Sequence, residues 1–166
     1  MTFTEAKHEF DNKYGTATEY DCFLTEHLTF GRKTSFKKKN GQRNEQYYKW
    51  QFLYSIVQSG LVAKDYIGTE VQFPKGNRSS APLKLDGAIF DDVTWFDKYK
   101  DYHENGNNES LEWLREHLIV ALEFKKEDNK NVADVWDKQL KAYLNESRRP
   151  FCLAVLVLRK LLRLPL

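Results

Sequence analysis

Asp86, Glu123 and Lys125 each place a charge on a segment that is otherwise mostly apolar. Asp86 lies in LKLDGAIF, residues 83–90, and Glu123 and Lys125 lie in LIVALEFK, residues 118–125. Burying either charge alone is costly. Side chains alternate along a strand, so Glu123 and Lys125 share one face. If the two segments pair as strands, all three side chains meet at one edge of the sheet. Two carboxylates at close range repel, and one of them would protonate. A divalent cation removes that penalty. Mg²⁺, or Mn²⁺ in its place, prefers oxygen ligands, so Asp86, Glu123 and the backbone carbonyl of Phe124 form a candidate ligand set. A cation held there would offset charge on a phosphodiester and make water more acidic. Lys125 beside it would have a lowered pKa, fit to orient or deprotonate that water. The chemistry is metal-assisted hydrolysis of a phosphodiester. The plain alternatives are an ion pair of little worth between Glu123 and Lys125 on an edge strand, and a turn-capping role for Asp86 before Gly87.

The elements that must position these residues follow from periodicity. Residues 4–13 read as a weak first helix, and 29–41 as a polar, basic loop. In NEQYYKWQFLYSIVQSG, residues 44–60, apolar groups recur at spacings of three and four: Tyr47, Trp50, Leu53, Tyr54 and Val57. Asn44 is placed to cap this helix and Gly60 to end it. Residues 64–73 read as a strand and 74–82 as a turn-rich loop. The 83–90 strand alternates, with Leu83, Leu85, Gly87 and Ile89 on one face and Lys84, Asp86, Ala88 and Phe90 on the other. Residues 91–109 are polar and aromatic without a clear period, and Ser110 opens a short helix through His117. On the 118–125 strand, Ile119 and Ala121 share the face of Glu123, and Val120, Leu122 and Phe124 take the other. A helix over 131–146 and an apolar strand over 151–158 complete a crossover unit. The order predicts an α/β domain with a central mixed sheet flanked by helices. The four tryptophans, Trp50, Trp95, Trp113 and Trp136, read as core, and the four histidines show no metal-ligand spacing.

The Asp … Glu-x-Lys pattern of Asp86, Glu123 and Lys125 resembles the PD-(D/E)xK nuclease superfamily. The helix after the second strand adds QLKAY, a Gln-x-x-x-Tyr match at Gln139 and Tyr143 whose spacing puts both on one helix face. That combination is similar to the nuclease domain at the N-terminus of type I restriction-enzyme motor subunits and to RecB-like nucleases, over about residues 44–158. The resemblance implies a restriction-endonuclease-like fold, Mg²⁺ or Mn²⁺ as cofactor and DNA as substrate. It implies Asp86, Glu123 and Lys125 as catalytic residues and Asp86, Glu123 and Phe124 as the metal's ligands. Glu45, Gln139 and Tyr143 become supporting residues, and Lys126, Gln139 and Tyr143 DNA contacts. The family's Pro-Asp is Leu-Asp here, and residues 91–117 read as an insertion between the two motif strands. The second function class is a nuclease-fold module that no longer cuts and serves DNA binding or assembly in a larger restriction or repair complex.

The chain has 166 residues, which predicts one domain, 1–166. Its net charge of +2 is uneven: five of the 26 basic residues lie in 148–166 with no acid, and the other 21 face 24 acids. Bulk charge therefore does not mark a nucleic-acid binder, and DNA would be held by local patches. Two cysteines without metal spacing predict a reducing, cytoplasmic setting. The longest apolar run, Phe151–Leu158, is far short of the roughly 20 residues that span a bilayer. The exposed leucines of RKLLRLPL predict a piece of a larger protein, with other subunits or a second copy as partners.

Overall fold

Leu53 and Val57 lie one turn apart on the first long helix and are buried, which fixes the face it turns to the sheet. The computed structural model describes residues 12, 26–27, 39–42, 45–74, 81–125, 140–146, 148 and 153–158, some of them by backbone alone. Helix α1 spans Glu45–Gln58. It ends at Gly60, whose positive φ of 73° suits a residue without a Cβ and whose N–H donates to the Val57 carbonyl at 3.1 Å. Asn44, the expected cap, lies outside the described residues, as do the 4–13 helix and the basic loop apart from isolated positions.

Among the described residues, five strands form one sheet in chain order: β1 Glu26–His27, β2 Ile67–Phe73, β3 Leu83–Phe90, β4 Leu118–Lys125 and β5 Leu153–Leu158. The first three pairings are antiparallel, and β4 pairs with β5 in parallel, Glu123 opposite Leu156. The sheet is therefore mixed and the class α/β, as the order of periodicities predicts. The parallel pair requires a crossover. Of the helix expected over 131–146, the end is described as α4, Lys141–Glu146.

The middle of the chain differs from expectation. Lys64–Tyr66 is a 3₁₀ turn, not the start of a strand, and the Trp95 indole N–H pins it by donating to the Asp65 carbonyl at 2.8 Å. The stretch without a clear period holds a full helix, α2, Trp95–Asn105. Its signal is aromatic: Trp95, Tyr99 and Tyr102 recur at helical spacing among polar residues, and the first two are buried. Asp92 sets its entry by accepting from the Thr94 N–H at 2.8 Å and hydroxyl at 2.7 Å. Helix α3 covers Asn108–His117 and starts before Ser110, because the Asn107 side chain caps it by accepting the Glu109 N–H at 3.0 Å.

Among the described residues, two apolar clusters lie on opposite faces of the sheet. One joins Leu53 and Val57 of α1 to Ile67, Ile89, Leu122 and Phe124. The other joins Trp95, Tyr99, Leu111 and Leu114 of α2 and α3 to Val71, Phe73, Leu83, Leu85, Ala88, Phe90 and Ala121. The expected alternation of β3 thus fails: Leu83 and Leu85 share a cluster with Ala88 and Phe90, while Ile89 joins the opposite one. Strand β2 changes faces likewise, between Ile67 and Val71. Glu70 lies at that level with a φ of 58°, a conformation that only a local twist of the strand accommodates. The register places Glu70 beside Asp86, since Thr69 faces Gly87 and Val71 faces Leu85. The irregularity therefore centres on the residues with charge.

Candidate functional site

Pairing of β3 with β4 runs from Phe90–Leu118 to Gly87–Leu122. One residue further, the side chain of Asp86 reaches across to β4, where its Oδ2 accepts the Phe124 N–H at 2.8 Å. Asp86 is thereby fixed between Glu123 and Lys125. It is not the simple turn cap that its Asp-Gly context allows. Strand β4 lies inside the sheet between β3 and β5, so the edge-strand reading of Glu123 and Lys125 is overturned as well. Glu123 is only 2% exposed, and the Lys125 ammonium pairs with its Oε1. Spacing of two along the strand brings them together.

Helix α1 covers this end of the sheet and brings a lysine that the motif does not contain. Lys49 has no exposed surface. Its ammonium pairs with Glu70 Oε1 and lies 3.4 Å from Asp86 Oδ1. Gln46 donates from Nε2 to the same Glu70 oxygen at 3.2 Å, and Lys84 pairs with the other. The Gln46 Oε1 is buried without a partner among the described residues. Glu45, one turn before Lys49, remains accessible at the rim. The site thus gathers carboxylates from α1, β2, β3 and β4 around the ammonium groups of Lys49, Lys84 and Lys125.

The electrostatics follow from that packing. Burial works against the charged form of Lys49, but the charges of Asp86 and Glu70 and the Glu70 hydrogen bond outweigh it, and its pKa is raised. Burial likewise works against the Glu70 anion, yet the Lys49 charge and donors from Lys49, Lys84 and Gln46 hold its carboxyl below the usual range. Glu45 moves the other way: burial first and the Asp86 charge second push it up. For Lys125, burial is outweighed by the Glu123 hydrogen bond and by the charges of Glu123, Asp86 and Glu45, so its pKa is raised. The lowering expected beside a cation is the reverse of what the chain's own groups produce. The Lys125 ammonium donates to Glu123.

The donor set suits a hard cation in kind. Asp86 and Glu123 offer anionic oxygens, and the raised Glu45 is a carboxyl whose neighbouring charge a cation would offset. Among the described residues, no group of three or more histidine, cysteine, aspartate or glutamate side chains is arranged to hold a metal ion, so the set rests on two carboxylates and the Phe124 carbonyl. Lys126 and Gln139 lie outside the described residues, and Tyr143 falls in α4 with only its backbone described. Sequence reasoning missed Lys49 and Glu70. Glu45, Lys49, Leu53 and Val57 recur every four residues, so Lys49 stands on the buried stripe of α1. That is the signal available for it. Nothing in IGTEVQF marks Glu70 as the strand's irregular residue. Among the described residues no helix is long and apolar enough to cross a membrane. Compared with protein-family models, with curated proteins and with solved structures, the chain has no match.

Proposed function

We propose that the chain is a Mg²⁺- or Mn²⁺-dependent DNA endonuclease domain of restriction type, with a restriction-endonuclease-like fold. The observation that carries the reading is the bond from Asp86 on β3 to the backbone of Phe124, which puts a carboxylate beside Glu123 and Lys125. Asp86, Glu123 and the Phe124 carbonyl would hold the cation, which when bound would offset charge on the phosphodiester and acidify water. The chain's own groups do the rest. Glu123, fixed by burial, keeps Lys125 in place, and the ammonium is positioned to donate to an anionic oxygen of the substrate. Glu45 at the rim is a candidate proton acceptor, because burial and the Asp86 charge make its carboxylate more basic than a free glutamate. Gln139, Tyr143 and Lys126 would contact the DNA strand, and other subunits or a second copy would license cutting in the cytoplasm. Nicking of supercoiled DNA in Mg²⁺, with calorimetric titration of Mn²⁺, tests this. Glu123→Ala is expected to abolish both while the far-ultraviolet dichroism is kept. Undiminished nicking by that variant would refute the proposal.

One observation favours a second reading, a nuclease-fold module that binds or assembles without cutting. The Lys49 ammonium already gives Asp86 and Glu70 a cationic neighbour. No Mn²⁺ binding by the wild-type chain at millimolar concentrations would support it.

A further inference from the structure

Lys49 is the group in this site that no nuclease chemistry asks for. It is wholly buried, and a buried ammonium is costly unless anions pair with it. Its bond to Glu70 is direct, whereas its approach to Asp86 Oδ1, 3.4 Å, is longer than a good charge-assisted bond. Asp86 Oδ2 is already engaged by the Phe124 N–H. The Oδ1 side is therefore where an incoming cation would bind Asp86, and it is the side that Lys49 faces. Gln46, whose Nε2 donates to Glu70, adds a buried oxygen without a partner among the described residues.

We propose that Lys49 is a built-in counter-ion that shares Asp86 with the divalent cation and opposes its binding. The proposal rests on the endonuclease reading for the identity of the metal ligands. Glu70 is the balancing part: by pairing with Lys49 on the side away from β4, it draws the ammonium off Asp86. Lys49 is thus a positioning residue that sets the metal affinity of the site, and it keeps the carboxylates together when the cation is absent.

The test is Mn²⁺ binding by calorimetry and by the loss of the free-ion electron paramagnetic resonance signal. It compares wild type, Lys49→Met, Lys49→Arg and the double variant Lys49→Met/Asp86→Ala. Lys49→Met is expected to bind Mn²⁺ at least about tenfold more tightly than wild type, a change of roughly 1.4 kcal/mol. Lys49→Arg, which keeps the charge, is expected to stay close to wild type, and the double variant to lose the gain. Should Lys49→Met fail to fold, Lys49→Gln, which retains a donor for Glu70, carries the same comparison. Equal or weaker binding after removal of the charge overturns the proposal; if the wild-type site is Asp86-dependent, the endonuclease reading survives that result. Binding by neither protein overturns both. A silent wild type with a Lys49→Met variant that binds supports the counter-ion role and removes the endonuclease reading.

Discussion

At the scale of the residue, the chemistry depends on how buried charges are compensated. Glu70 shows it most directly, because it carries two separable burdens: it neutralises a fully buried lysine, and it holds a positive φ that costs a residue with a Cβ. Glu70→Ala keeps the strained backbone and removes the carboxylate that pairs directly with Lys49. It is expected to lower stability by about 3 kcal/mol, within the range for breaking a buried pair. Glu70→Gly loses the same charge but relaxes the backbone, and is expected to be about 1 kcal/mol less harmful. Urea unfolding of the two variants measures both terms. Equal midpoints would mean that the backbone of Glu70 is not strained. The Asp86, Glu123 and Lys125 triplet was legible because charges on apolar strands are conspicuous. Lys49 and Glu70 were not, since a lysine on a helix and a glutamate on a strand usually face water, and only the packing of α1 on β2 and β3 shows otherwise.

At the scale of the element, regular periodicity was readable and irregular entry was not. The bounds of helix α1 and of strands β3 and β4 match the reading closely, although the alternation read for β3 does not hold through Asp86. Helix α2 was hidden because its buried stripe is made of Trp95 and Tyr99 among charged neighbours, and because its start depends on Asp92 rather than on an apolar run. The face change in β2 and β3 was hidden because it needs both strands at once. The α2–α3 corner has its own acid-sensitive tie. Asp101 accepts from Ser110 at 2.5 Å, Asn105 at 2.9 Å and Asn107 at 2.7 Å, and these bonds lower its pKa. A carboxylate with a depressed pKa in the folded state contributes stability that is present above its unfolded value, about 3.9, and is lost as pH falls through the folded value. Asp101→Asn should therefore weaken the protein at neutral pH, and its deficit against wild type should shrink in strong acid. Urea midpoints across pH check this, and a deficit that stays constant with pH would show that Asp101 does not titrate as described.

At the scale of the whole molecule, the sheet separates two jobs. The face covered by α2 and α3 holds much of the apolar packing, and the face covered by α1 holds a smaller core beside the charged group of Lys49, Glu70 and Asp86. Leu114 of α3 and Leu53 of α1 are buried to the same degree, 1% and 0% exposed, so truncating either removes a similar amount of apolar contact. Leu114→Ala and Leu53→Ala are each expected to cost about 2–5 kcal/mol. Their effects on chemistry should differ. Leu53 follows Lys49 by one turn on the stripe that seats α1 against Ile67, Ile89 and Leu122, so loosening it shifts Glu45 and Lys49 relative to Asp86. Small misplacements of positioned groups are costly, and under the proposed endonuclease function Leu53→Ala is expected to lower Mg²⁺-dependent nicking per folded molecule by about tenfold or more. Leu114→Ala, on the opposite face and without shared partners, is expected to leave that rate within about twofold at temperatures where it is folded. Nicking rates normalised to the folded fraction decide the matter. An equal loss in both variants would mean that the site depends on the sheet as a whole and not on the seating of α1.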